Sequence, residues 1–136
     1  EASRYFEKAA RTICVDHHIS NTGYADENMI CADASSTCEV LCSMMEMDKI
    51  STACASALYT GIVHDTGVFQ YSCTSPATMR MAADLMEKDI PYTFLVSHTF
   101  YKKTYRQNQV LGKALLNTRM VCRWEEALCR SVNACR

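Results

Sequence analysis

A short apolar segment, residues 12–15, is followed directly by three titratable residues: Asp16, His17 and His18. Its β-branched and apolar side chains are typical of a strand that is covered on both faces. Open α/β sheets place ligands at the carboxyl ends of their strands, so polar side chains at this point indicate a binding site. A neutral imidazole can bind a metal, and a neighbouring carboxylate can fix its tautomer. The motif alone also allows the simpler alternative, a polar loop that follows the strand.

Asp65 is the second candidate for a metal ligand, in the segment GIVHDTG at residues 61–67. The apolar pattern predicts a helix over residues 50–63 that stops by Gly67, so His64 and Asp65 lie at its C-terminal end. A carboxylate there is unfavourable because the helix dipole favours cations, and a bound divalent cation would remove this penalty. The alternative is a solvent-facing aspartate that caps the following turn.

The remaining patterns predict a helix-rich α/β fold with a parallel sheet flanked by helices. Strands are expected over residues 12–15 and 28–32, separated by a loop over 19–26, and an amphipathic helix over 1–11. A helix should begin near Ser35 or Ser36, since Ser36 and Glu39 have the capping-box spacing. Ser75 and Pro76 predict another helix that runs to about residue 88, and residues 92–116 are predicted to be mostly helical. The methionines are predicted to fill the core, and His98 to pack among apolar side chains.

Composition excludes several classes of protein. The 136 residues are 49% hydrophobic and carry a net charge of −1, so neither general disorder nor strong non-specific binding of nucleic acid is indicated. No segment approaches the roughly 20 apolar residues of a membrane span, so no membrane partner is expected. The nine cysteines form no Cys-x-x-Cys pair, which predicts reduced thiols and a cytoplasmic protein. Because the sequence starts at Glu1 and not at methionine, we expect a piece of a longer protein.

Three segments resemble the DHH phosphoesterase family in their order and spacing: DHHISN at residues 16–21, ASSTCE at 34–39 and GIVHDTGVF at 61–69. The likeness continues through YSCTSPAT at residues 71–78 to about Leu116. It implies that residues 1–116 are the C-terminal half of a DHH domain, including its linker helix. Residues 117–136 no longer follow the family pattern and are expected to be an atypical tail, the truncated start of a C-terminal domain.

The resemblance also implies the chemistry of the site. DHH proteins use two divalent ions, usually Mn²⁺, to activate a water molecule for attack at phosphorus. By resemblance His17 and Asp65 would bind metal, and His18 would act in catalysis by contacting the substrate phosphate. Asp16 would be a catalytic-site residue that orients its neighbours, and His64 would lie near the site. The implied reaction is hydrolysis of short oligoribonucleotides, as an exonuclease, or of 3′-phosphoadenosine 5′-phosphate.

The chain also departs from the family pattern. Residues 1–15 lack the two aspartate motifs that precede the DHH element, and no Gly-Gly-Gly-His motif is present. A hard cation prefers about six donors, so His17 and Asp65 alone predict weak metal binding and negligible phosphodiesterase activity. The alternatives are a cyclic-dinucleotide phosphodiesterase of the same family and a catalytically inactive fragment. The expected partners are a short RNA or nucleotide substrate and the missing N- and C-terminal parts of the parent chain. The sequence leaves the oligomeric state open.

Overall fold

The computed structural model describes residues 3–123 and 126–131, with side chains described over residues 3–118. The chain divides into two compact units, residues 1–101 and 102–136. Each unit is described by itself below. The domain boundary predicted between residues 116 and 117 stays a prediction.

The first unit contains a small parallel sheet whose first strand carries the DHH motif. After helix α1 (Ser3–Lys8), strand β1 (Ile13–Asp16) pairs in parallel with strand β2 (Glu27–Ile30). In this register Cys14 lies opposite Asn28 and Asp16 lies opposite Ile30. Cys14 is buried. The predicted α/β class is confirmed, although α1 is shorter than the predicted 1–11 and β2 ends before the predicted residue 32.

Helices make up the rest of the first unit. They are α2 (Thr37–Ser43), α3 (Thr52–Asp65), α4 (Pro76–Met86) and α5 (Tyr92–Leu95), with a 3-10 turn at Met47–Lys49 and a π-helix at Val96–Tyr101. Serine side chains cap α2, α3 and α4, because each hydroxyl accepts a backbone N–H that the first turn leaves unpaired. The predicted start at Ser75 and Pro76 is therefore confirmed, with Thr78 completing a capping box.

Helix α3 lies at the centre of the hydrophobic core. Its buried side chains recur at intervals of three and four residues, as expected for one helical face: Ala55, Leu58, Tyr59, Ile62 and Val63. They pack with Cys42, Ile50, Ala82, Leu85 and Ile90 from neighbouring segments. Ala53 and Ala57, two apolar residues of the same helix, are exposed. The buried stripe is therefore rotated toward Tyr59 and Val63.

Two core predictions are wrong in part. Met44, Met45, Met79 and Met86 are between 37% and 50% exposed, and only Met47 and Met81 among the clustered methionines pack against the core. Helix α2 ends before Met44, and α4 turns Thr78, Ala82 and Leu85 inward, which leaves Met79 and Met86 on its outer side. His98 is also exposed. Its ring stacks on that of the exposed Phe94, with 4.0 Å between ring centroids.

The second unit contains helix α6 (Tyr105–Leu116) and an antiparallel hairpin of β3 (Thr118–Arg123) and β4 (Glu126–Ser131). The long helix predicted over residues 92–116 is interrupted, because residues 102–104 are not helical and Thr104 caps a new helix. The segment that was expected to be an atypical tail thus contains two strands. Residues 124, 125 and 132–136 of that tail lie outside the described residues. Within the described ranges, no helix is long and apolar enough to cross a membrane.

Candidate metal centre

Asp16, the last residue of β1, organises the start of the DHH loop. Its Oδ1 accepts hydrogen bonds from the backbone N–H of His17 and from Nδ1 of His18, both at 2.7 Å. Its Oδ2 accepts a hydrogen bond from the Asn21 side-chain amide, also at 2.7 Å. Both carboxylate oxygens are therefore occupied by donors from the chain itself. These hydrogen bonds orient the loop that carries His17 and His18.

These donors also set the charge of Asp16. The hydrogen bond from Asn21, followed by that from the His18 ring, holds the pKa of Asp16 well below its ordinary value. Each donor stabilises the carboxylate more than the protonated acid. Asp16 is consequently an anion throughout the neutral range, and it places a fixed negative charge beside the His18 ring.

Asp65 lies on the last turn of α3, where a strained turn ends the helix. Gly67, Val68 and Phe69 all adopt left-handed backbone conformations, with φ of 57°, 58° and 64°. Glycine tolerates this conformation, whereas a β-branched residue such as Val68 is strained in it. The buried Thr66 stabilises the turn, because its hydroxyl donates to the Ile62 carbonyl at 2.7 Å and accepts from the Phe69 N–H at 3.0 Å.

The fold brings His17 and Asp65 together. The Nε2 atom of His17 lies 3.7 Å from Oδ2 of Asp65, and the two side chains are 20% and 48% exposed. On its other side the His17 ring faces the Ala34 carbonyl, with 3.3 Å between Nδ1 and the oxygen. A carbonyl oxygen can only accept, so this contact places a proton on Nδ1, and in the neutral ring Nε2 is then the nitrogen with the lone pair. In that form Nε2 and Oδ2 are two acceptors that face each other at 3.7 Å, beyond hydrogen-bond distance.

The separation of these two acceptors lies within the range that donors around one divalent cation span, although it matches neither the adjacent nor the opposite spacing. Donor–metal distances of about 2.1 Å separate the donors of an octahedral ion by about 3 Å when adjacent and about 4.2 Å when opposite. The observed 3.7 Å lies between these limits. Imidazole nitrogen and carboxylate oxygen also suit a transition ion such as Mn²⁺. Among residues 3–118, however, no group of three or more histidine, cysteine, aspartate or glutamate side chains could hold a metal. The described donor set is therefore one pair of ligands.

His18 and His64 occupy different places around this pair. The His18 ring is 68% exposed, and it lies against the His17 ring with 4.5 Å between centroids. Because its Nδ1 donates to Asp16, its Nε2 points away from that bond and is free to meet a ligand. His64 precedes Asp65 but turns elsewhere, since its Nε2 lies 3.0 Å from the Thr99 hydroxyl on the π-helix. The same ring packs edge-on against Phe100.

Comparison with known proteins agrees with these motifs. The chain is 33% identical over 85 residues to a protein of Streptococcus mutans named "Probable bifunctional oligoribonuclease and PAP phosphatase NrnA", and this match covers 61% of this chain and 27% of that protein. The chain is also 29% identical over 100 residues to the "Bifunctional oligoribonuclease and PAP phosphatase NrnA" of Bacillus subtilis. That match covers 70% of this chain and 31% of the Bacillus protein. The predicted resemblance to the DHH phosphoesterases is confirmed. The chain spans less than a third of the length of these two relatives. No family model matches it.

A solved structure supports the same fold. The crystal structure of an exopolyphosphatase-related protein from Bacteroides fragilis superposes with a TM-score of 0.73. The match covers 82% of this chain and 34% of that chain at 24% sequence identity. At this identity the likeness shows the fold alone, which is an α/β fold.

Two residues that support the DHH loop were missed by the sequence-based interpretation. Asn21 belongs to the DHHISN segment, and its amide bonds to Asp16 while its carbonyl oxygen accepts the Gly23 N–H at 2.9 Å. Glu39 belongs to the ASSTCE segment, and its carboxyl group is buried beneath the loop that carries Ala34. The signal was available for Asn21, because asparagine commonly bonds to nearby backbone groups in turns. For Glu39 the sequence predicted only a helix cap.

Proposed function

We propose that this chain is part of a manganese-dependent phosphoesterase of the DHH kind, which hydrolyses short oligoribonucleotides, 3′-phosphoadenosine 5′-phosphate, or both. The observation that carries the proposal is the approach of His17 Nε2 and Asp65 Oδ2 to 3.7 Å as two facing acceptors. When the His17 ring is neutral with its proton on Nδ1, both atoms are acceptors, and a cation between them would remove their repulsion. The names of the relatives from Streptococcus mutans and Bacillus subtilis support the choice of substrates.

In this proposal His17 and Asp65 would hold a metal ion. Manganese would supply a Lewis acid that lowers the pKa of a water molecule and polarises phosphate oxygens, and a second ion in the complete enzyme would help to stabilise the attacking and leaving oxygens. Asp16 does not bind the ion. Its hydrogen bonds to the backbone of His17 and to the ring of His18 hold both side chains at the end of β1.

His18 is proposed to contact the substrate phosphate. The Asp16 carboxylate accepts from Nδ1 of His18 at 2.7 Å, and this hydrogen bond turns Nε2 away from Asp16. The exposed ring leaves Nε2 room to meet a phosphate oxygen. His64 is proposed only to lie near the site, since its ring contacts the Thr99 hydroxyl and not His17 or Asp65.

The small number of metal donors also bears on what these 136 residues can do by themselves. A hard ion prefers about six donors, and residues 3–118 bring together a single pair. We expect this chain by itself to bind manganese weakly and to show negligible phosphodiesterase activity. The inactive-fragment alternative predicts no site-specific manganese binding at all, so metal binding separates the two. The predicted cytoplasmic location stays a prediction.

Substrate assays on the product of the complete gene test the proposed reaction. We expect manganese-dependent release of nucleotides from a short RNA, or of phosphate from 3′-phosphoadenosine 5′-phosphate. Both should fall at least about a hundredfold in His17→Ala and Asp65→Ala, the scale of losing a metal-ion contribution of several kcal/mol. Asp84→Ala, an exposed aspartate on α4, is the matched control. Preferential hydrolysis of a cyclic dinucleotide would instead support the alternative within the family.

A further inference from the structure

We propose that Glu39 is a positioning residue for His17, acting through the peptide that joins Ala34 to Ser35. The inference deepens the proposed function, because it explains why the proton of the neutral His17 ring lies on Nδ1 and not on the metal-facing nitrogen. It requires no third ligand and no contact between Glu39 and the metal. Glu39 acts from inside the protein, behind the loop.

The carboxyl group of Glu39 is held inside the first unit by donors from two segments. Its Oε2 accepts the Ser35 N–H and the Thr78 hydroxyl, both at 2.9 Å, and also contacts the Ser35 hydroxyl. Ser35 and Thr78 are themselves fully buried. The predicted capping box is therefore only half formed. Ser36 accepts the Glu39 N–H at 3.0 Å, but the glutamate side chain reaches Ser35 and α4 and not the Ser36 N–H.

The Ser35 N–H and the Ala34 carbonyl belong to one planar peptide unit. Glu39 accepts from the N–H side of that peptide, and His17 Nδ1 donates to its carbonyl side at 3.3 Å. A carboxylate that accepts from the N–H polarises the peptide, and hydrogen bonds arranged in a chain strengthen one another. The carbonyl thus becomes a better acceptor for the His17 proton. The arrangement resembles the direct carboxylate–histidine contact of many metal sites, with a peptide inserted between the partners.

The consequence is a preference for one tautomer of His17. With its proton on Nδ1, the ring presents an unprotonated Nε2 to Asp65, which is the form that binds metal. If the peptide were free to rotate, the Ala34 carbonyl would no longer select this form. A glutamate buried on the far side of the loop therefore prepares the histidine before any metal arrives.

Thr78 fixes the orientation of Glu39 in turn. Its hydroxyl donates to Glu39, while it accepts the Ser75 N–H at 3.2 Å within the capping box of α4. Removing this hydroxyl loosens Glu39 without removing the carboxylate. Thr78 therefore offers a milder perturbation of the same path.

Nitrogen-15 NMR of the His17 ring in the metal-free 136-residue chain tests the proposal, recorded well above the ordinary histidine pKa of about 6.5 so that neutral rings are compared. We expect the Nδ1–H form to dominate in the wild type. In Glu39→Ala the tautomer ratio should shift about fivefold toward Nε2–H, the change that a hydrogen bond of about 1 kcal/mol supports. Thr78→Val should shift it in the same direction, and Thr78→Ser should restore it.

Ser51→Ala is the matched control, since it removes a helix-capping hydroxyl from α3 that lies outside the path to His17. It should lower stability while leaving the tautomer ratio unchanged. An unchanged tautomer ratio in folded Glu39→Ala overturns the proposal. If Glu39→Ala does not fold, an unchanged tautomer ratio in Thr78→Val overturns it instead. Because no metal is added, this experiment is independent of the proposed function. The tautomer effect can hold even if the chain is not part of a phosphoesterase, and the phosphoesterase proposal can hold even if the tautomer effect is absent.

Discussion

Replacing Gly61 with alanine tests the close approach of α2 and α3 that determines where Asp65 lies. A Cβ atom on residue 61 would lie 2.2 Å from Sγ of Cys38 and 3.1 Å from its Cβ. Gly61 stands about one helical turn before Asp65, so a shift of α3 at this contact displaces the carboxylate as well. The prediction therefore connects packing in the core with the candidate metal centre.

Two opposing effects determine how much Gly61→Ala changes the free energy of unfolding. Alanine stabilises a helix interior by about 1 kcal/mol relative to glycine. Inserting a methyl group into a filled contact costs about 1–3 kcal/mol, and a 2.2 Å approach belongs at the upper end. We expect a net loss of about 1–2 kcal/mol in the free energy of unfolding. In a Cys38→Ala background the sulfur contact is absent, so the loss should shrink by about 1 kcal/mol.

Urea unfolding followed by circular dichroism measures these changes. Gly112→Ala in α6 is the matched control, because nothing lies within 4 Å of the Cβ that it would add. This control should be neutral or stabilising by up to about 1 kcal/mol. A Gly61→Ala chain that is as stable as the wild type would refute the packing of α2 on α3.

Three further predictions concern charge, capping and burial. Because the pKa of Asp16 is lowered from 3.8, its stabilising effect is complete above about pH 4 and is lost as pH falls through the lowered pKa. The difference in Tm between wild type and Asp16→Asn should therefore shrink below pH 4, and a constant difference would contradict this. Ser75→Ala should cost about 1 kcal/mol in urea unfolding, whereas the exposed Ser72→Ala should be neutral, and equal losses would refute the cap. The buried Leu85→Ala should lower the free energy of unfolding by about 2–5 kcal/mol, whereas the exposed Met86→Ala should lower it by less than about 0.5 kcal/mol. A larger loss for Met86→Ala would show that α4 buries a different face.

The features that the sequence predicted best are local. Strand β1 and the caps at Ser36 and Ser75 follow from side-chain chemistry within a few residues, and the structure contains all three. The sequence also placed His17 at a strand end and Asp65 at a helix end. Their approach to 3.7 Å could be expected only from the family resemblance, because it depends on how β1 and α3 pack.

The features that were missed depend on tertiary contacts. Glu39 was interpreted as a helix cap because serine and glutamate have the right spacing, but its side chain contacts Thr78, which is 39 residues away. Met79 and Met86 have the composition of a core, and the rotation of α4 leaves them outside. The π-helix at Val96–Tyr101 breaks a segment whose helix propensity is continuous. Propensity does not distinguish these arrangements.

Manganese-induced line broadening in the NMR spectrum of the 15N-labelled chain tests the central claim most directly. Unpaired electrons of Mn²⁺ broaden nearby signals even when binding is weak, so a two-ligand site remains detectable. We predict that substoichiometric Mn²⁺ selectively broadens signals around His17 and Asp65. His17→Ala and Asp65→Ala should abolish the effect, and Asp84→Ala should preserve it. Uniform broadening, or selective broadening that persists in Asp65→Ala, would contradict the claim that these two residues share a metal ion.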